Sequence, residues 1–471
     1  MSKNKLLLDY VASGFAASFR LGTPHKDFEE GISRNLIPAS QYLKDKLGGH
    51  VNISGLFNAF TEETFSRRVT ESGHNFQDLF PDEMYSDSGG LQVLTQGKEI
   101  DDKMKQHIYS IQAKYSNYAM SFDEMPFEIN AKGERKYLGD KIAGEMGTKA
   151  GENLKEQMVY FDKIKSKTKI FPIVQGPTLE GMSAYTLNML NVLNKTQLSK
   201  LECLAVGGIT TEYELLERSI NLYRVEGIPK KVKSHLHVLG VTGFRKLMPI
   251  LIGCRNGLLP GVKKLSFDST TFMKSYLLGN IQPSLADLKS GAPKRSLGKK
   301  RDAFVEDYYQ QMWDFWKDIP DNVFDDVEDM LEHSCFNSKG LTTAAQQYKA
   351  LGPIHGIKTI TQKYVYVYYN TFKFMEILEM YLDGKLELKE FMGSYNTNWL
   401  YLLENVTDYD GYKDWYDGVR NNKIVNRPTS EDGREDSKML GFKNDSIIIN
   451  EKPKKIKVVE ECGNKQTNVL F

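Results

Sequence analysis

The chain has 471 residues, 40% hydrophobic and 26% charged, with a formal net charge of +1. That balance fits a folded protein of one or two domains. It excludes a global field that draws the chain to polyanions, so any nucleic-acid contact must come from local patches. Cys203, Cys254, Cys335 and Cys462 form no Cys-x-x-Cys pair, which argues against a disulfide framework and for a reducing compartment. The first apolar run, Leu6-Leu7-Leu8, ends at Asp9. It is too short for a membrane span and no cleavage site follows it, so the expectation is a cytoplasmic protein (the host cytoplasm if viral) with no membrane contact.

From about residue 50 to 270 one theme repeats. Short β-rich apolar segments end in Gly, Asp or Gln, and longer helical patterns follow them. The strand-like segments are His50–Phe57, Tyr118–Phe122, Ile170–Val174, Leu201–Val206, His235–Val241 and Val262–Phe267. In Asp101–Tyr118, the residues Met104, Ile108, Ile111, Tyr115 and Tyr118 recur at helical steps. Such alternation implies a parallel sheet covered on both faces. Six or more units favour a (β/α)8 TIM barrel over an open sheet, with function at the C-terminal ends of the strands.

After Asp268 the character changes. Lys289–Arg301 is a basic loop with Lys294, Arg295, Lys299, Lys300 and Arg301 among Gly, Pro and Ser. It could track phosphates, or be a solvated loop. Two helical patterns follow, Phe304–Trp316 and Ile360–Leu382, whose aromatic stripes read as core. The expected division is a barrel core at 1–285, a basic loop at 286–303 and a helical subdomain at 304–395 that completes the barrel. A polar, irregular C-terminal extension is expected at 396–471.

Five motifs fall at strand ends in order. They are Asp87-Ser88-Gly89-Gly90-Leu91-Gln92, Phe122-Asp123-Glu124, Val174-Gln175-Gly176, Gly207-Gly208-Ile209 and Phe267-Asp268. Singly, each could be a turn or a helix cap. Together they supply three carboxylates, an amide and an exposed Gly-Gly backbone. That set suits a flat heterocycle such as guanine, whose N1–H and 2-amino edge offers two donors to one carboxylate.

The series resembles the tRNA-guanine transglycosylase family, whose barrel carries Asp-Ser-Gly-Gly-Phe-Gln, Phe-Asp-Glu, Val-Gln-Gly, Gly-Gly-Leu and Phe-Asp in this order. The resemblance covers about residues 80–270, with a weaker echo at His355 and Gly384-Lys385-Leu386. It implies that Asp268 is the nucleophile at the sugar C1′ and Asp87 the acid/base group. It also implies that Asp123, Gln175 and Gly208 read the base, with Leu91 in place of a stacking aromatic and Leu239, before Gly240, in place of a methionine. The activity implied is base exchange through a covalent Asp–sugar intermediate, with no organic cofactor.

The sequence departs from the tRNA enzymes at two places. Asp268-Ser269-Thr270-Thr271-Phe272 lacks their Arg/Gly-rich run. Their Cys-x-Cys-x-x-Cys plus His zinc site is matched by His333, Cys335 and His355, with Ser338 at the last cysteine. Structural zinc takes four ligands, so zinc is doubtful and the alternative is helices packed without metal. Both departures favour the DNA-directed branch of phages and bacteria, called DpdA, which inserts a 7-deazaguanine such as free preQ0 into DNA. A tRNA-directed enzyme of the queuosine or archaeosine type is the alternative. A non-catalytic nucleic-acid-binding subunit is the second, although retention of both Asp87 and Asp268 speaks against it.

Overall fold

The computed structural model describes residues 6–13, 37–59, 82–90, 100–129, 135–207, 214–241, 243–269, 272, 280–282, 285–289, 295–296, 314–316, 318–319, 356–392 and 398–420. The chain opens with β1 (Leu7–Ser13), α1 (Ile37–Lys46), β2 (Val51–Asn58) and β3 (Met84–Asp87). Next come α2 (Asp102–Tyr115), β4 (Tyr118–Met120) and a small antiparallel pair, β5 (Phe127–Ile129) and β6 (Arg135–Tyr137). Then follow α3 (Asp140–Lys163), β7 (Lys169–Phe171), β8 (Ile173–Val174), α4 (Leu179–Asn191), α5 (Lys195–Lys200) and β9 (Cys203–Val206). The alternation closes with α6 (Glu214–Arg224), β10 (His235–Val238), α7 (Phe244–Arg255) and β11 (Lys264–Ser269).

Nine of these strands form one parallel sheet in the order β7-β4-β3-β2-β1-β11-β10-β9-β8. The two end strands, β7 and β8, are separated in the chain by Pro172 alone, so the sheet returns on itself as a nearly closed barrel. Pro172 has no N–H to place in a ladder, but its carbonyl still accepts from the Ala205 N–H at 2.9 Å.

Side-chain alternation along each strand makes two cores. Val11, Leu56, Tyr85, Tyr118, Met120, Phe171, Ile173, Cys203 and Ala205 form a cluster inside the barrel. Their strand neighbours, such as Leu8, Tyr10, Ile53, Leu204, Leu236 and Phe267, belong to a larger core shared with the helices. Helix starts follow local chemistry. Asp101 accepts from the Met104 N–H at 2.7 Å to begin α2, and Thr178 accepts from the Gly181 N–H at 3.0 Å to begin α4.

The strand expectations agree with the observed spans to within a few residues. The six segments leave out β3, whose end alone was marked by Asp87, the short pair β5–β6, a second short pair beyond β11, and β1, where Leu7, Leu8 and Asp9 begin a strand that pairs with both β2 and β11. Beyond β11 come β12 (Asn280–Ile281), α8 (Leu285–Lys289), β13 (Arg295–Ser296) and the long α9 (Gly356–Leu382). From α9, Phe374 packs on Phe244 of α7, on Phe272 and on Phe267 of β11. This helix therefore packs on the outer face of β11. After α10 (Leu388–Met392), two further helices correct the expectation of an irregular, polar segment from 396. They are α11 (Asn398–Leu403) and α12 (Tyr409–Arg420). Trp399, Leu400, Leu403, Tyr412, Trp415 and Val419 are buried there, and the Trp415 Nε1–H donates to the Trp399 carbonyl at 2.8 Å. Asn256 Nδ2, just after α7, lies 2.9–3.1 Å from the carbonyls of Leu403, Glu404 and Val406 and holds this pair to the barrel. Among the described residues, no helix is long and apolar enough to cross a membrane.

Candidate active site

Because the strands are parallel, their C-terminal ends share one mouth, and alternation decides which side chains point into it. Along β3 the inward positions are Tyr85 and Asp87, along β9 Cys203, Ala205 and then Gly207, and along β11 Lys264, Ser266 and Asp268. Asp87 is the last residue of β3. Its carboxylate accepts the backbone N–H groups of Ser88 and Gly89. Gly89 has φ 86, a left-handed conformation that a side chain would strain. Ser88 Oγ donates to the Ser121 carbonyl at 3.2 Å, which ties this turn to the end of β4.

That tie brings Asp123 against the Gly-Gly backbone. A Cβ on Gly90 would lie 2.6 Å from Asp123 Oδ1. Gln175, just past β8, donates through Nε2 to Asp123 Oδ2 at 2.6 Å. Gly207, just past β9, leaves room for that amide, since a Cβ there would lie 2.8 Å from Gln175 Nε2 and 3.1 Å from Leu239 Cδ1. On the far side the Gly240 N–H donates to Asp268 Oδ1 at 2.9 Å. Five residues singled out by their strand-end positions (Asp87, Asp123, Gln175, Gly207 and Asp268) thus converge, with Leu239 and Gly240 beside them.

The electrostatics suit proton handling. Burial pushes the Asp87 carboxyl up to about 6, against the two N–H bonds of its turn, and the neighbouring charge of Asp268 adds to the rise. Burial pushes Asp123 up to about 7, against the Gln175 bond and with the Asp87 charge adding to it. Among the described residues, neither carboxylate has a lysine or arginine partner within 4.0 Å. Both can therefore change protonation near neutrality.

The alternation also shows residues that the motifs did not reveal. His235 and His237 of β10 face inward with Ser266 between them, and His237 Nε2 stands 3.3 Å from Asp268 Oδ1. Asn58 at the end of β2 reaches Asp87 Oδ2 at 3.5 Å, a marginal contact. Deeper in the barrel, Asp9 is fully buried with Lys264 at 2.7 Å, Tyr85 at 2.8 Å and Ser54 at 2.8 Å. The available signal was polar residues at period two, His-Leu-His in β10 and Lys-Leu-Ser-Phe-Asp in β11. They sit at positions where a barrel strand would otherwise carry apolar side chains.

Several expected site residues lie outside the described residues: Leu91, Gly208, Lys294, Lys299, Lys300, Arg301 and the three zinc candidates His333, Cys335 and His355. Arg295 is described in its backbone, which pairs with Ile281. Lys289, expected in the basic loop, instead closes α8 and forms an ion pair with Glu390 at 2.8 Å. Among the described residues, no group of three or more His, Cys, Asp or Glu side chains could hold a metal ion. The chain matches no protein-family model, and no curated protein matches it in sequence.

Proposed function

We propose that the chain is a DNA-guanine transglycosylase that exchanges guanine for a 7-deazaguanine base such as preQ0. The observation that carries this reading is the convergence of Asp87, Asp123, Gln175, Gly207 and Asp268 at one mouth, with two of the carboxyls raised toward neutrality. We read the sheet as a (β/α)8 TIM barrel in which β7 and β8 are one strand broken at Pro172. Support comes from the sequence order of the strands around the sheet and from the pairing of β1 with β11.

The chemistry follows from the placement of the groups. The Asp268 carboxylate forms a bond to C1′ as the C1′–N9 bond of guanine breaks, and the departing base takes the proton of Asp87. The incoming base gives its N9 proton back to Asp87 and attacks C1′, which releases Asp268. Two displacements with one carboxylate as nucleophile and a second as proton shuttle match the logic of retaining glycosidases. Asp123 and Gln175 present an acceptor and an amide to the edge of the base, while the backbone at Gly90 and Gly207 allows the ring to lie close. A target guanine in duplex DNA would have to be flipped out of the stack.

DNA is favoured over tRNA by Asp268-Ser269-Thr270-Thr271, which replaces the Arg/Gly-rich run of the tRNA enzymes. The deciding experiment incubates the protein with labelled guanine or preQ0 and either DNA or tRNA. Label in DNA is expected, trapped on the way as an adduct that Asp268→Ala no longer forms. Label in tRNA alone would replace this reading with the tRNA one, and an exchange-active Asp268→Ala protein would remove the mechanism.

A further inference from the structure

We propose that His237 orients Asp268 for attack, donating its Nε2–H to Oδ1 so that Oδ2 is the oxygen that bonds to C1′; the inference rests on the transglycosylase reading. His237 is fully buried on β10. Its Nδ1 lies 2.8 Å from Ser266 Oγ, and His235 Nε2 lies 2.8 Å from the same oxygen. A serine hydroxyl has one hydrogen, so it donates to one ring and must accept from the other. Burial, with the nearby Lys264 charge adding to it, pushes His235 well below the usual histidine range and keeps that ring neutral.

For a His237 ring that carries one proton, two arrangements are possible. If Ser266 donates to His235, then His237 carries its proton on Nδ1 and turns a bare Nε2 lone pair toward Asp268 Oδ1 at 3.3 Å, where two acceptors repel. If Ser266 donates to His237 Nδ1 and accepts from His235, the His237 proton sits on Nε2 and faces the carboxylate. The second arrangement removes the repulsion, and a hydrogen bond on one ring nitrogen sets what the other can do. His237 Nε2 is buried without a hydrogen-bond partner in the resting geometry. A small turn of the carboxylate would bring Oδ1 into line with it.

The Gly240 N–H already holds Oδ1 at 2.9 Å. With both donors on Oδ1, Oδ2 is the oxygen left for C1′, since no described residue hydrogen-bonds to it. Once C1′–Oδ2 has formed and C1′–N9 has broken, Oδ1 is the ester carbonyl oxygen and keeps both donors. When the second base attacks C1′ and the C1′–Oδ2 bond breaks, the electron pair returns to the carboxylate, and the same donors stabilise its charge. The imidazole plane is held by the Tyr85 ring, stacked at 5.8 Å, and by Phe171 at 5.7 Å. Tyr85 is fixed in turn by its bond to Asp9 at 2.8 Å.

The test has two independent arms. In the kinetic arm, His237→Phe should lower kcat for base exchange about a hundredfold, as misplacing a reacting group does. KM for the free base should stay within about twofold, and His237→Gln, which keeps an N–H near Nε2, should recover to within about tenfold of the unaltered protein. A His237→Phe protein as fast as the unaltered one, or a Gln variant as slow as the Phe variant, would overturn the inference. In the spectroscopic arm, the imidazole 15N resonances of His237 should report the Nε2–H tautomer, and Ser266→Ala should perturb them. The Nδ1–H tautomer would overturn the inference. Should the unaltered protein transfer no base to any nucleic acid, the functional reading falls and the 15N spectrum alone decides how His237 addresses Asp268.

Discussion

The barrel buries carboxylates at both ends and treats them in opposite ways. Toward the N-terminal end, Asp9 lies in a full set of partners: Lys264, the Tyr85 hydroxyl and the Ser54 hydroxyl, with Glu83 sharing the lysine. At the C-terminal mouth, Asp87 and Asp123 have amide donors but no described lysine or arginine partner, and burial raises both toward neutrality. A buried charge that is neutralised in place holds the structure. A pair left uncompensated is costly to the fold and useful for moving protons.

Breaking the neutralised end should have the largest effect. Lys264→Ala leaves Asp9 buried without its cation, and unfolding in denaturant should show a loss of about 3–5 kcal/mol. The double variant Asp9→Leu with Lys264→Met should regain most of it, because apolar groups of similar volume can replace a buried pair. Recovery that fails would mean that the pair does more than balance charge.

At the mouth the same kind of change should spare stability and remove function. Asp87→Asn should lower exchange by about 10²–10⁴-fold, the range for a lost general acid, with the melting temperature held or raised. In the unaltered protein, exchange should follow a narrow bell. Asp87 donates its proton below about 6, and Asp123 is an ionised acceptor above about 7, so few molecules meet both conditions at once. A broad plateau in the rate profile would contradict this pairing of roles.

Gly90→Ala tests the contact between the two carboxylate loops. The added Cβ meets Asp123 Oδ1, so the carboxylate must shift, and KM for the base should rise about tenfold with kcat less affected. The smallest effect is on stability against pH. Both carboxyls hold protons in the folded state at pH values where the unfolded chain has lost them, so folding binds protons between about pH 4 and 7. Stability from these groups is complete below about pH 4 and is lost as pH rises through about 6 and 7. The melting temperature should fall by a few degrees, roughly, from pH 5 to 8. The Asp87→Asn, Asp123→Asn double variant should flatten that slope, as calorimetry would show.

The repeated strand and helix patterns were legible because periods of two and 3.6 are local properties of the chain. Asp87, Asp123, Gln175, Gly207 and Asp268 were legible because glycines and polar residues at strand ends stand out against apolar segments. β1 was not, since Leu6-Leu7-Leu8 is short and its worth lies in pairing with β2 and β11, more than forty and two hundred residues away. The helices over 398–420 were hidden for a related reason. Charged residues interrupt the apolar pattern of α12, and Trp399 and Trp415 find their packing in each other.

The alternation, the strand ends and the chemical types gathered there are written locally in the chain, because each depends on neighbours a few residues apart. Which polar groups meet depends on how the strands assemble. Closing the sheet put His237 beside Asp268, Lys264 beside Asp9 and Gln175 beside Asp123. Those pairings set the burial and field that each carboxylate feels, and no local pattern encodes a field that arises from strands brought together across the barrel.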